Sequence, residues 1–176
     1  PDYLFGQHCG HARQLYTTSY GNEFVNSTLA YLELCKDTRF QSPGLELLQR
    51  LFTDGVQWIF YSKQHDPNNA GRFISSNQYS SAIKTLAERI YKLSSSDVRN
   101  SMKQALQHIS GDNSLTGNRM FWRFDYMVHR RNNYMTSSRM TSTRTVGNEA
   151  GNGDGEFNYY ASNGVNFLFV TGREYN

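Results

Sequence analysis

The chain has 176 residues, of which 38% are hydrophobic, and it contains 12 Tyr and 11 Phe; this is enough apolar surface for a core and too much for a disordered protein. The net charge of +3 is small, and no apolar run approaches the roughly 18 residues that a membrane-spanning helix requires. The first residues, Pro-Asp-Tyr-Leu-Phe, lack the basic and apolar stretches of a signal peptide. Both ends lie within sequence typical of structured elements, so we expect a piece of a longer protein.

Four helices are predicted in the first part of the chain, because apolar residues recur there every three or four positions. Ser42-Pro43 and Ser96-Asp97 lie where two of the helices should begin. The four apolar stripes are Phe24, Thr28, Tyr31, Leu32 and Cys35; Leu45, Leu48, Phe52, Val56 and Ile59; Ile83, Leu86, Ile90 and Leu93; and Val98, Met102, Leu106 and Ile109.

From Ser110 onward the pattern changes from helix to strand. Residues 111–117 are rich in Gly, Asn, Asp and Ser, which is typical of a turn. Short segments rich in aromatic and β-branched residues follow and are predicted to be strands: 120–129, 133–140, 157–161 and 165–171. Helices followed by strands indicate two segregated parts and argue against alternating βαβ units.

Charge and cysteine content leave alternatives open. Between Gly117 and Arg144 there is one acid, Asp125, against six arginines: Arg119, Arg123, Arg130, Arg131, Arg139 and Arg144. Such a run can attract a polyanion, although a solvated strand surface is the commoner explanation. Cys9 and Cys35 lack metal-ligand spacing, and either a disulfide or two free thiols is compatible with the sequence.

Three motifs contain residues that can move protons. His11 precedes Tyr20-Gly21 by nine residues, Gly71-Arg72 follows, and Glu149 lies in a Gly/Asn-rich loop. Tyrosine is a poor base at neutral pH because its ordinary pKa is about 10. A nearby cation or hydrogen-bond donor must therefore stabilise its phenolate. A tyrosine with a histidine and an arginine is a meaningful combination, whereas each residue alone has a commoner structural role.

In this order the motifs resemble polysaccharide lyase family 8, whose members cleave chondroitin, hyaluronan and xanthan. The family pattern also includes Arg-Met-x-Ser-x-Arg-Thr followed closely by Ser-Glu-x-x-Asn, similar to residues 139–145 and 148–152 here. Residues 121–126 (Phe-Trp-Arg-Phe-Asp-Tyr) and 171–175 (Thr-Gly-Arg-Glu-Tyr) resemble two further segments of the family. The implied fold class is α then β: the C-terminal part of an α/α-toroid over residues 1–112, followed by the first strands of an antiparallel β-sandwich over residues 113–176.

The resemblance implies a lyase that cleaves a uronate-containing polysaccharide, such as the glycosaminoglycans chondroitin or hyaluronan, by β-elimination. No cofactor and no metal are implied, nor is nucleic acid a partner, and the expected location is secreted or periplasmic. Tyr20 would be the general base and then the acid, and His11 would assist it. Arg72 would favour the phenolate, and Glu149 would orient Arg72. The implied substrate-binding positions are Asn152, Ser76 and Arg144.

Several departures from the family pattern matter. Asp2 is followed by His8 in the family's Asp-x5-His frame, so His8 is the alternative to His11. The second arginine of Gly-Arg-x-x-x-Arg is Ser76 here, which removes a bidentate contact to an anion. The family's carboxylate-neutralising asparagine and its aromatic sugar-stacking residues lie upstream of the residues matched here.

These departures support a competing class, a non-catalytic glycan-binding or structural fragment of such a lyase. Nucleic-acid binding is a third and weaker possibility, because the helical half has no recognition motif. The lyase hypothesis makes a geometric prediction that tests it: Arg72 and Glu149, which are 77 residues apart, should meet close to Tyr20.

Overall fold

The structure is a computed structural model that describes residues 2–8, 13–74 and 79–175. Cys9, His11 and Ser76 therefore lie outside the described residues. A short antiparallel pair, β1 (Gly6–Gln7) and β2 (Gln14–Leu15), precedes helix α1 (Tyr20–Cys35). Helix α2 (Gly44–Arg50) continues through a π-helical turn (Leu51–Gly55) and a 3₁₀ turn (Val56–Ile59).

A second short antiparallel pair follows, β3 (Phe60–Tyr61) with β4 (Gln64–His65), and then two 3₁₀ turns, Pro67–Asn69 and Gly71–Phe73. Helices α3 (Tyr79–Leu93) and α4 (Ser96–Ile109) complete the helical part. The remaining strands form an antiparallel sheet in chain order: β5 (Gly117–Phe121), β6 (Tyr126–Arg131), β7 (Tyr134–Arg139) and β8 (Val165–Phe169).

The predicted order of helices followed by antiparallel strands is confirmed, with four α-helices in the described residues. Helix α4 ends at Ile109 and strand β5 begins at Gly117, while the domain boundary after residue 112 stays a prediction. No helix among the described residues is long and apolar enough to cross a membrane.

One hydrophobic core joins the helices to the sheet. Leu29, Phe52 and Ile90 from the helical part belong to the same buried cluster as Val128 and Met135 from the sheet. Burying a side chain of this size contributes roughly 1.5–3 kcal/mol. The shared core therefore fixes the helical part against the sheet, and it also fixes the loops that leave each of them.

Several sequence predictions need correction. The first apolar stripe is only partly buried, because Phe24 and Tyr31 are exposed and Val25 and Leu29 face the core instead. The predicted strand over residues 120–129 is two strands, since a turn separates Phe121 from Tyr126.

The second apolar stripe does not form one α-helix to Ile59, because the helix changes to a π turn at Leu51. Gly55 ends that turn so close to the Tyr3 carbonyl that a Cβ there would lie 1.7 Å from its oxygen. The predicted strand over residues 157–161 is wrong: successive turns occupy it, and Phe157 is 98% exposed, so no buried face exists for a strand to use.

The arginine run is also not a continuous basic surface. Strands β6 and β7 alternate between buried and exposed positions, and this period of two places Arg130 and Arg139 on the buried face. Both guanidinium groups donate to backbone carbonyls, and Arg144 pairs with Asp125. Arg130 and Arg139 are thus buried, and the exposed Arg144 is paired with an acid, so only part of the arginine run can form a basic surface.

Candidate active site

The start of α1 is held against the turn that carries Arg72. The backbone N–H of Thr18 donates to the Asn69 carbonyl at 3.1 Å, and the Ser19 hydroxyl donates to the Ala70 carbonyl at 3.2 Å. Both Thr18 and Ser19 are buried. The first residue of the helix, Tyr20, is therefore placed beside Gly71-Arg72 by hydrogen bonds that solvent cannot easily compete for.

Gly71 allows the backbone before Arg72 to lie directly on the ring of Tyr16. Its φ is +60°, a left-handed conformation that side chains rarely adopt. A Cβ at this position would lie 1.9 Å from the Tyr16 ring. The Tyr16 hydroxyl in turn accepts a hydrogen bond from the Arg72 backbone N–H at 3.3 Å. Glycine at position 71 is thus a packing requirement of the site.

Arg72 lies between Glu149 and Tyr20, as the motifs predict. Its Nη1 is 2.6 Å from Glu149 Oε1, and its Nη2 donates to the Tyr20 hydroxyl at 2.9 Å. The Arg72 side chain is 11% exposed and that of Glu149 26%, so water screens this ion pair only partly. Two residues that are 77 positions apart therefore meet beside the candidate base.

The loop that carries Glu149 is attached to the N-terminal segment of the chain. Arg13 forms a parallel bridge with Thr145 and accepts a hydrogen bond from the Val146 N–H at 2.9 Å. The Gln14 side-chain amide donates to the Asn148 side chain at 3.2 Å. Glu149 thus reaches Arg72 along the same segment that leads into Tyr16 and Tyr20.

Gly155 closes the other side of this loop. With φ +80°, a Cβ there would lie 2.3 Å from the Glu149 carbonyl and 3.0 Å from the Arg72 Cβ. The neighbouring Asn158 side chain donates to the Arg72 carbonyl at 3.1 Å. The loop therefore packs tightly around the Arg72 backbone and limits its movement.

Of the two candidate histidines, His8 lies in this cluster. Its Nε2 is 3.4 Å from Glu149 Oε2. Its ring meets the Tyr20 ring edge-on, with centroids 6.1 Å apart, and its side chain is 47% exposed. His11, preferred from the nine-residue spacing, lies outside the described residues.

Tyr16 is the residue at this site that sequence reasoning missed. It is fully buried, and its hydroxyl donates to Glu149 Oε1. Burial, and then the hydrogen bond to Glu149, raise the pKa of Tyr16 well above that of an ordinary phenol. Tyr16 therefore stays protonated. Its place four residues before Tyr20 is the one feature of the sequence that could have indicated it.

The two tyrosines differ in ways that suit them to different tasks. Tyr16 is enclosed and donates to a carboxylate, whereas Tyr20 is partly exposed and accepts from a guanidinium. A phenolate is favoured where its oxygen accepts from a cation and disfavoured where the hydroxyl donates to an anion. Of the pair, Tyr20 is thus the candidate base, because its oxygen accepts from a cation and its side chain is partly exposed.

Glu149 is ionised in this arrangement. Burial by itself raises the pKa of its carboxyl, but hydrogen bonds from Tyr16 and Arg72, with the charges of His8 and Arg72, outweigh burial and lower the pKa below its ordinary value. The carboxylate therefore holds Arg72 through a charge-assisted hydrogen bond at neutral pH.

The three expected substrate-binding positions are placed differently. Asn152 is exposed, with φ +57°, in a turn closed by reciprocal hydrogen bonds between Gly151 and Asp154. Arg144 pairs with Asp125, outside the Tyr20 cluster, and Ser76 lies outside the described residues. Within residues 2–8, 13–74 and 79–175, no three His, Cys, Asp or Glu side chains group as metal ligands do.

The sheet region matches a known family. Residues 116–176 match the sequence model of the polysaccharide lyase family 8 super-sandwich domain. The whole chain aligns with chondroitinase-AC of Pedobacter heparinus, with 25% identity over 183 aligned residues that cover 99% of this chain and 26% of the relative. The sheet region is thus similar to polysaccharide lyase family 8, and the chain as a whole is similar to a chondroitinase-AC.

Solved structures give the same result for the family fold. A chondroitinase AC lyase studied as enzyme–oligosaccharide complexes superposes with a TM-score of 0.81 and 26% identity, over 99% of this chain and 27% of that one. The chondroitin AC lyase of Streptomyces coelicolor A3 (TM-score 0.79, 17% identity) covers 97% of this chain and 29% of its own. The match to xanthan lyase of Paenibacillus (TM-score 0.79, 16% identity) covers 97% of this chain and 20% of that one. These last two show the fold alone, and the chain spans about a quarter of the length of the relatives it matches.

Proposed function

We propose that the protein containing this chain is a lyase that cleaves a uronate-containing polysaccharide by β-elimination, with Tyr20 as base and then acid. One observation carries the proposal: Tyr20 is partly exposed, and its hydroxyl accepts a 2.9 Å hydrogen bond from Arg72, which Glu149 in turn holds at 2.6 Å. A phenol oxygen in this position accepts a hydrogen bond from a cation, and this is the interaction that stabilises a phenolate.

The reaction begins with removal of a weakly acidic proton. The C5 proton of a uronate is α to a carboxylate, and the Tyr20 phenolate takes it as negative charge spreads towards that carboxylate. The bond between C4 and the glycosidic oxygen then breaks, and a C4–C5 double bond forms. Tyr20 returns its proton to the departing oxygen, so the residue is restored and no redox cofactor is consumed.

Arg72 assists because its charge and its Nη2 hydrogen bond favour the anionic form of Tyr20. A guanidinium gains from such a bond only if it does not rotate away, and the Glu149 carboxylate fixes its other nitrogen. Tyr16 fixes Glu149 in turn. The four groups form a chain in which each orients the next, ending at the reacting oxygen.

A histidine beside Tyr20 assists at C5 or holds the tyrosine hydroxyl. The contacts of His8 with Glu149 and Tyr20 support His8 for this role. His11 remains the candidate from spacing, and variants of each separate the two. With substrate bound, a histidine side chain near the sugar carboxylate would also donate a hydrogen bond where negative charge develops.

The proposed substrate is an acidic polysaccharide, and a glycosaminoglycan such as chondroitin or hyaluronan is our first candidate. The relatives named chondroitinase AC support this choice. We propose Asn152, three residues after Glu149, as a contact to the sugar, with Arg144 and Ser76 as weaker candidates. A polymer of this kind would be met outside the cytoplasm, so we propose a secreted or periplasmic location.

A non-catalytic glycan-binding fragment is the less favoured alternative, because a partly buried group of tyrosine, arginine and carboxylate is costly to assemble unless it is used. The test is to incubate chondroitin, hyaluronan and xanthan with the full-length protein and with this chain, and to follow the ultraviolet absorbance of the unsaturated product. A rise with at least one polymer is expected for the full-length protein. Binding without any rise would support the alternative.

A further inference from the structure

A buried arginine at the end of β7 links the two segments that carry Arg72 and Glu149. Arg139 is 2% exposed. Its Nη1 donates to the Asn68 carbonyl at 3.3 Å, and its Nη2 donates to the carbonyls of Gly147 at 3.0 Å and Val146 at 3.3 Å. A planar guanidinium can hold acceptors in two directions at once, which an ammonium cannot do with the same rigidity.

The acceptors lie close to the ion pair along the chain. Asn68 is four residues before Arg72, and Gly147 is two residues before Glu149. Short 3₁₀ turns connect Asn68 to Arg72, so a shift of the Asn68 backbone is passed on with little slack. Arg139 therefore holds in place both segments that lead into the Arg72–Glu149 pair.

The surrounding contacts strengthen this link on the side of Arg72. Ser137, also on the buried face of β7, accepts a hydrogen bond from the Asn68 side chain at 3.2 Å. The Tyr126 hydroxyl donates to the buried Asp66 carboxyl at 2.7 Å. Burial lowers the pKa of Arg139 to about 10, so the guanidinium is still charged at neutral pH. Burying such a charge costs free energy. What the buried guanidinium provides is a fixed position for the two segments that carry Arg72 and Glu149.

We propose that Arg139 is a positioning residue of the lyase, setting the separation of Arg72 and Glu149 and through them the hydrogen bond to Tyr20. The inference rests on the proposed function. A loosened pair weakens stabilisation of charge that develops during proton transfer, whereas contacts to the sugar remain. Loss of Arg139 therefore lowers kcat far more than it raises KM.

The chain supplies a matched control in Arg130. This arginine is fully buried on the neighbouring strand β6 and faces the same side of the sheet. Its Nη1 also donates to backbone carbonyls, those of Gln57 at 2.7 Å and of Phe60. The segments of Gln57 and Phe60 carry no residue of the site. An Arg130 variant therefore loses a buried arginine, as an Arg139 variant does, but it should not displace Arg72.

The experiment compares Arg139→Lys with Arg130→Lys in the full-length protein, measuring the unfolding midpoint, kcat, KM and the pH dependence of kcat. For Arg139→Lys we expect kcat to fall by about tenfold or more with KM changed less than about threefold. Its kcat–pH profile should differ from that of the wild type, because the groups that hold the hydrogen bond to Tyr20 are displaced. Arg130→Lys should keep kcat within about twofold and leave the profile unchanged.

Equal kcat and equal pH profiles for the two variants would overturn the inference. Should Arg139→Lys not fold, Arg139→Gln, which retains an amide donor, takes its place. If both Arg139 variants are unfolded while Arg130→Lys folds, Arg139 is a structural residue and the inference fails. A full-length wild type that does not cleave any of the three polysaccharides refutes the proposed function instead, so the two failures are distinguishable.

Discussion

Replacing Glu149 with glutamine tests how much the ion pair contributes to the reaction. Glutamine keeps the shape of the side chain but loses the charge that holds Arg72 Nη1 at 2.6 Å. A hydrogen bond to a charged group contributes roughly 1.5–3 kcal/mol, and the low exposure of Arg72 leaves little water to replace it. If that stabilisation is realised in the transition state, kcat falls about 10- to 150-fold, since 1.36 kcal/mol is a tenfold change in rate.

The effect on stability has a defined dependence on pH. Because the pKa of Glu149 is lower in the folded protein than its ordinary value of about 4.3, ionised Glu149 stabilises the folded state above that value. This contribution is lost as the pH falls through the lower, folded-state pKa. The difference in unfolding free energy between wild type and Glu149→Gln should therefore be greatest at neutral pH and should disappear in acid.

The control is Glu33→Gln, which breaks a different glutamate–arginine pair. Glu33 accepts from Arg89 at 2.9 and 2.7 Å on the surface of the helical part. Exposed pairs contribute about 0.2–1 kcal/mol, so this variant should lose little stability and no activity. Product absorbance and denaturant unfolding measure both variants. Equal kcat for Glu149→Gln and wild type would show that Glu149 does not orient Arg72 for the reaction.

Three further variants separate the roles of the residues around Tyr20. Tyr16→Phe removes the donor to Glu149 and the acceptor of the Arg72 N–H, so kcat should fall about 5- to 30-fold, matching the roughly 1–2 kcal/mol of a lost buried hydrogen bond. Complete loss of product absorbance would instead identify Tyr16 as the base. His8→Ala should lower kcat more than His11→Ala, because His8 Nε2 lies 3.4 Å from Glu149 and its ring meets Tyr20. The reverse order, in the same assay, would restore the nine-residue spacing as the correct frame.

The helices and the principal ion pair could be predicted from sequence for identifiable reasons. Apolar residues spaced three and four apart predict that α3 and α4 are helices and show which face of each is buried. The meeting of Arg72 with Glu149 followed from the order of the family motifs and not from any local pattern. No physical property of either residue alone indicates a partner 77 positions away.

Other features depend on tertiary contacts that sequence patterns do not encode. Tyr16 is one of 12 tyrosines, and its role exists only because Gly71 brings the Arg72 backbone onto its ring. The alternation of β7 places position 139 with the buried Met135, but a charged residue there favours the opposite prediction. The carbonyls of Asn68, Val146 and Gly147, supplied by other segments of the chain, make burial of Arg139 possible.

The most direct measurement is turnover and substrate binding by Tyr20→Phe in the full-length protein. The substitution removes one oxygen, the atom that accepts from Arg72 Nη2 at 2.9 Å, and retains the ring. A general acid or base typically contributes about 10²–10⁴-fold, and a residue that serves as both should reach the upper end of that range. We predict a fall in kcat of about 10⁴-fold or more, with the polysaccharide dissociation constant changed less than about threefold. A variant that keeps a tenth of the wild-type rate would contradict the assignment of Tyr20 as base and acid.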